Sequence, residues 1–157
     1  MRGASLTPVE SRRAAEDTVL PVAVRAKEFR YAVELAGDGA VTAEGEARLV
    51  PPELWTPDHL LLAALVRCSV ESLRHHATRT GIEVEARGSA RGVVTKPAPT
   101  ERYRFVELDA ELDVTLQPEP APHELAELLA RAERDCFVGS SLTAPPRYRW
   151  RVNGSEP

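Results

Sequence analysis

Thr56-Pro57-Asp58-His59-Leu60-Leu61-Leu62-Ala63-Ala64-Leu65-Val66-Arg67-Cys68 is the stretch on which the fold turns. It opens with the chemistry of a helix start. Thr56 suits the cap, Pro57 the first helical position and Asp58 the positive end of the helix dipole. Leu60 to Val66 is then apolar on every side, so this helix must be buried nearly all round. Beyond Cys68 the pattern becomes amphipathic: Val70, Leu73 and Ala77 are apolar, and Arg67, Glu71 and Arg74 are spaced for ion pairs. Gly81 is a natural stop. The pattern predicts a helix of about 25 residues through the middle of the chain.

Upstream, Lys27 to Leu35 alternates Phe29, Tyr31, Val33 and Leu35 with polar or small residues, which predicts a strand. Gly37-Asp38-Gly39 is a turn, and Val41 to Val50 a returning strand broken by a second turn near Gly45. Residues 1–22 are polar and aperiodic, which predicts a flexible tail ahead of a domain over residues 23–157.

Downstream, Ile82 to Thr95 and Arg102 to Leu116 are strands. In the second, Val106, Leu108, Ala110, Leu112, Val114 and Leu116 share a core face, and Glu107, Asp109, Glu111 and Asp113 a wet one. Glu124 to about Cys136 is a second helix, with Leu125, Leu128, Leu129, Ala132 and Cys136 on its apolar stripe. Arg147 to Val152 is the last strand; Arg147, Arg149 and Arg151 face away from Tyr148, Trp150 and Val152. Its basic face would complement the acidic face of 107–113 if the two strands pair. The order of elements is that of an α+β protein.

The chain has 157 residues, with 20 basic and 24 acidic side chains and a net charge of -4, which argues against general nucleic-acid binding. No apolar run approaches the roughly 18 residues that would span a bilayer. The start lacks the apolar stretch of a secretory signal, so a cytoplasmic location is expected. No C-x-x-C or H-x-x-x-H spacing, glycine-rich phosphate loop or G-x-S-x-G elbow is present, so neither metal nor cofactor is expected.

The two cysteines, Cys68 and Cys136, both fall on predicted buried helical faces and could meet where the helices pack. Buried cysteine is often only a small apolar filler. In a reducing compartment, two that meet are more often redox-active than statically bonded. Asp58 and Cys68 are ten residues apart, about 15 Å along a straight helix. Either that helix is broken, or Asp58 of a second subunit reaches Cys68, or Asp58 only starts the helix. An apolar helix that one small subunit can hardly cover favours a homodimer with composite sites.

The segment from Thr56 to Cys68 resembles the signature of the OsmC/Ohr family (osmotically induced protein C and organic hydroperoxide resistance protein). Arg134-Asp135-Cys136-Phe137-Val138-Gly139-Ser140-Ser141-Leu142 resembles that family's second cysteine segment. The resemblance extends over about residues 25–153. It implies an intertwined homodimer with antiparallel sheets around the long central helix. It also implies a peroxidase for organic hydroperoxides. Cys68 would be the peroxidatic thiolate, Cys136 would resolve its sulfenic acid as a disulfide, and a dithiol such as a lipoylated protein would reduce that disulfide. Three positions depart from the family pattern. Asp58 stands where glutamate is usual, Phe137 where proline often follows the cysteine, and the hairpin turn Ala36-Gly37-Asp38-Gly39 has no arginine to hold the thiolate. The last departure favours a second reading, a member that binds a small apolar ligand or senses oxidants.

Overall fold

The structure, a computed structural model, describes residues 27–44, 48–96, 98 and 101–157. The expected tail over 1–22 and the turn near Gly45 lie outside the described residues. The chain divides into two compact units, one ending at Val50 and one running from Pro51 to Pro157.

The first unit holds an antiparallel meander of β1 (Val33–Leu35), β2 (Val41–Ala43) and β3 (Arg48–Leu49). The turn over Gly37–Gly39 is closed by the Ala36 amide on the Ala40 carbonyl at 2.8 Å and by the Ala40 amide on Asp38 Oδ1 at 3.1 Å. Of the strand expected from Lys27, Val33–Leu35 are in register with Ala43, Thr42 and Val41. Arg30 pairs with Glu28 and Arg48 with Asp38.

The second unit opens with α1 (Pro57–Thr78), one continuous helix. Pro57 occupies its first turn, and the Thr56 amide and hydroxyl both hydrogen-bond the His59 ring, at 3.1 and 2.9 Å. The helix ends where Gly81 takes a φ of +75°, a conformation that costs glycine nothing, and Ile82 donates back to the Ala77 carbonyl at 3.0 Å. β4 (Glu83–Thr95) runs antiparallel to β5 (Arg104–Gln117). Next come α2 (Pro122–Arg134) and α3 (Phe137–Ser141), then β6 (Arg147–Val152). β6 joins β5 in parallel, so the sheet β4-β5-β6 is mixed where an antiparallel one was expected.

One face of this sheet is the core. Leu108, Ala110, Leu112, Val114 and Leu116 of β5 are buried with Trp150 and Val152 of β6. Leu73 and Ala77 of α1 and Leu128, Leu129 and Ala132 of α2 pack against part of this face. Each fully buried leucine contributes about 1.5–3 kcal/mol. Val106, expected on the core face, is exposed. The pairing register shifts between Val93 and Val94, which face Glu107 and Phe105, so Val106 is left bulged and Phe105 turns toward the core instead.

The complementarity expected on the wet face is present. Asp109, Glu111 and Asp113 lie in register with Arg147, Arg149 and Arg151. Arg147 reaches Asp109 at 3.0 Å and Glu107 at 3.1 Å, and Arg149 reaches Glu111 at 2.7 Å. From the other side Arg87 holds Asp113 at 2.6 Å and Arg91 holds Glu111 at 2.7 Å. Arg147 above all holds the Asp109 carboxyl below the ordinary carboxylate range, and Arg149 followed by Arg91 does so for Glu111.

A carboxyl whose pKa is lowered by folding adds stability that is in place above its unfolded value, near 4, and is lost as pH falls through the lower folded value. Arg147→Gln is therefore expected to flatten the acid dependence of the urea midpoint between about pH 5 and 2. Leu112→Ala should instead cost about 2–5 kcal/mol with the acid dependence intact. Urea titrations at a series of pH values check both; equal slopes for wild type and Arg147→Gln would refute the ladder's role.

Candidate functional site

Around Cys136 lies a small apolar cluster, separate from the main core. Leu65 of α1 and Leu108 and Ala110 of β5 are buried with it. Leu62, Cys68, Phe105, Val138, Leu142 and Tyr148 pack against them partly buried. The two cysteines expected to meet are brought together here. Cys68 comes from the middle of α1 and is half-buried, whereas Cys136 is fully buried. Cys136 does not end α2, as its place on the apolar stripe suggested. α2 stops at Arg134, and Cys136 caps the short α3. The turn that follows sends backbone N–H groups to both sulfurs: Val138 to Cys68 Sγ at 3.5 Å and Gly139 to Cys136 Sγ at 3.4 Å.

The side-chain contacts are less even. Ser69, next to Cys68 on α1, sets its hydroxyl 3.4 Å from Cys136 Sγ. The Tyr148 hydroxyl lies 3.5 Å from that of Ser69 and packs in the same cluster as Cys136. Burial would push the Cys136 thiol up, but the hydrogen bonds from Ser69, Gly139, Tyr148 and Cys68 outweigh it and hold it below the ordinary thiol value. Burial pushes Cys68 up, only partly offset by the Val138 amide, and a charge on Cys136 pushes it further. Of the two sulfurs, Cys136 is thus the one whose surroundings favour ionisation. Burial drives the Tyr148 phenol well above the ordinary tyrosine range, so it keeps its proton. Among the described residues the groups that donate to the two sulfurs are neutral, and hydrogen bonds to a charged atom contribute about 1.5–3 kcal/mol each.

Asp58 sits exposed in the first turn of the same unbroken helix as Cys68, about 15 Å away by helical rise. Within one chain it does not reach the sulfurs. His76 hydrogen-bonds Asp135 at 2.9 Å, and Arg134 grips that carboxylate at 2.7 and 2.8 Å, Arg134 chiefly lowering it to about 2. This clamp fixes the chain immediately before Cys136. Among the described residues no group of three or more His, Cys, Asp or Glu side chains is placed to hold a metal ion, and no helix is long and apolar enough to cross a membrane.

Ser69, Gly139 and Tyr148 were not singled out from the sequence. Tyr148 was placed on the inner face of its strand without a partner for its hydroxyl. The glycine three residues after Cys136 was the available signal. Gly139 is buried, and a Cβ built on it would lie 2.5 Å from the Tyr148 hydroxyl and 3.4 Å from Cys136 Sγ. It is glycine because the phenol fills the space of a side chain.

Comparison with known proteins places this architecture. A family model described as OsmC-like protein matches residues 51–151. Among solved structures, an OsmC-like protein of unknown function from Vibrio cholerae superposes with a TM-score of 0.63 at 14% identity, over 79% of this chain and 100% of that one. An OsmC-like protein from Mycoplasma pneumoniae gives 0.58 at 14% identity, over 82% and 98%. A protein from Legionella pneumophila described as an organic hydroperoxide resistance protein OsmC gives 0.55 at 16% identity, over 81% and 98%. At these identities the likeness establishes the fold. No curated protein sequence matches.

The crowding at Gly139 makes a specific prediction. Gly139→Ala should destabilise the chain by about 1–3 kcal/mol through overpacking. In a Tyr148→Phe background, where the clashing oxygen is gone, the same change should cost much less. A double-mutant cycle by urea denaturation measures the difference; additive costs would show that the two groups do not collide.

Proposed function

Because the chain belongs to the OsmC-like protein family, we propose that it is a thiol-dependent peroxidase for organic hydroperoxides. The observation that carries this reading is the pairing of an accessible thiol, Cys68, with a buried one, Cys136, inside an apolar cluster. Cys68, ionised, attacks a peroxide oxygen and the O–O bond breaks. The alkoxide leaves and takes a proton to become an alcohol, and Cys68 is left as a sulfenic acid. The Cys136 thiolate then attacks the Cys68 sulfur, the S–O bond breaks, and hydroxide leaves to be protonated to water. A dithiol, a lipoylated protein being one candidate, returns the resulting disulfide to two thiols. Leu62, Phe105, Val138 and Leu142 beside the thiols favour alkyl peroxides over hydrogen peroxide.

The reading includes a homodimer. Ala63 and Ala64 of α1 are exposed in the single chain, Trp55 is 46% exposed and Leu54 is 87% exposed. A second copy would cover this surface, and its Asp58 would supply the carboxylate that α1 cannot bring to its own Cys68. A cytoplasmic location, where dithiol reductants are kept reduced, belongs to the same proposal.

The alternative is a family member that binds a small apolar ligand or senses oxidants without turnover. It is favoured by the neutral donors around the sulfurs and by Arg30 and Arg48 each being paired with a carboxylate.

Cumene hydroperoxide consumption with a dithiol reductant separates the two. Wild type is expected to turn over, and Cys68→Ser to lose at least about a hundred-fold in kcat/KM. Cys136→Ser should stop after one equivalent, with a trappable sulfenic acid. Because burial raises the Cys68 thiol, kcat/KM should still be rising with pH at the ordinary thiol value of about 8.5. No turnover from a folded, fully reduced protein would favour the alternative. Sedimentation velocity tests the dimer, and a monomer at micromolar concentration would remove the composite site.

A further inference from the structure

Three polar groups converge on Cys136, the sulfur that no peroxide can reach directly. The Gly139 amide lies 3.4 Å from it, the Ser69 hydroxyl also 3.4 Å, and Tyr148 closes the group. They do not offer protons equally. Ser69 has a single proton, and the Leu65 carbonyl claims it at 2.8 Å, closer than the sulfur. Among the described residues no carbonyl is paired with the Tyr148 hydroxyl, which lies 3.5 Å from the Ser69 oxygen and packs in the cluster that holds Cys136. It also stands where a side chain on residue 139 would otherwise be, 2.5 Å from a built Cβ. Glycine at 139 thus lets both its own amide and the phenol approach the same sulfur. Cys68 receives the Val138 amide at 3.5 Å.

We propose that Tyr148 is a positioning residue for Cys136. With the Gly139 amide, it keeps the negative charge of the thiol pair on the Cys136 sulfur. Cys136 then closes the disulfide as a nucleophile already ionised and leaves as a thiolate when the disulfide is reduced. The proposal rests on the reading of the pair as redox-active.

The direction of reduction follows. A thiolate of an incoming dithiol attacks the Cys68 sulfur, which is the accessible one. The Cys68–Cys136 S–S bond breaks and its electron pair goes to Cys136, where Tyr148 and the Gly139 amide receive the charge. The second thiol of the reductant, deprotonated, then displaces Cys68 as a thiolate, and the reductant departs as its own disulfide. Two electrons pass, and both protein sulfurs are returned. A disulfide opens faster when the departing thiol has a lower pKa. The attack is therefore biased both by access and by the leaving group.

The test uses the reduced full-length chain and reads thiolate absorbance near 240 nm against pH. In Cys68→Ser, which isolates Cys136, a titration below the ordinary thiol value of about 8.5 is expected. Adding Tyr148→Phe should move it up by about one pH unit, a tenfold change in ionisation. In the two-cysteine protein, oxidised with diamide, Tyr148→Phe should slow reduction by dithiothreitol about three- to ten-fold. The proposal is overturned if Cys136 titrates at or above the ordinary value in Cys68→Ser. It is equally overturned if Tyr148→Phe shifts neither readout while near-UV circular dichroism stays native. Should Tyr148→Phe unfold, 3-fluorotyrosine at position 148, a stronger donor of nearly the same size, takes its place and must lower the Cys136 titration. None of these readouts needs a peroxide. A shifted titration with no hydroperoxide consumption would therefore sink the peroxidase reading and support the role of Tyr148.

Discussion

Leu65, Ser69, Leu73 and Ala77 recur at every fourth residue of α1, and all four are buried. A stripe at that spacing runs along one side of a helix, so it fixes which side of α1 meets the rest of its unit. The remainder of the site depends on this contact. With Ser69 turned inward, its neighbour Cys68 sits at the edge of the buried face, half covered. A shift of one residue would bury Cys68 and lift Ser69 away from Cys136. The polar member of an otherwise apolar stripe is tolerated because its hydroxyl is satisfied by the Leu65 carbonyl one turn back.

The two sulfurs are chemically unequal because their surroundings are. Cys136 has no contact with solvent, yet its thiol is held below its ordinary value, since hydrogen-bonding groups converge on it and outweigh its burial. Cys68 is the more accessible and has fewer donors. Access and hydrogen bonding are thus divided between two atoms, the division that the proposed peroxidase cycle would use. A single buried cysteine could not combine both properties, because the donors that stabilise a thiolate are the groups that wall it off.

The family assignment and the local chemistry carry different weights. The fold is shared with proteins of 14–16% identity, a level at which the arrangement of elements persists while the site side chains are free to change. The hairpin arginines of this chain are held by carboxylates of their own unit, and the donors around its sulfurs are neutral. Stabilisation of charge by converging hydrogen bonds is a physical alternative to a cation.

The sequence by itself determined the elements whose periodicity is uninterrupted. The cap at Thr56, the length of α1, the alternation in β5 and the opposed charges of β5 and β6 were all legible, because each follows from spacing along one segment. That the two cysteines would meet was suggested by their helical faces, but not what would surround them. Tertiary structure decided the rest. The bulge that exposes Val106 arises from pairing with β4, which no pattern within β5 encodes. The parallel placement of β6 is a matter of chain path. The polar groups around Cys136 come from positions 69, 139 and 148, brought together only when α1, α3 and β6 meet in one cluster. Hydrogen bonds between residues that distant in the chain leave no periodic trace in it. The physical basis of the sulfurs' inequality was therefore invisible until the fold had closed around them.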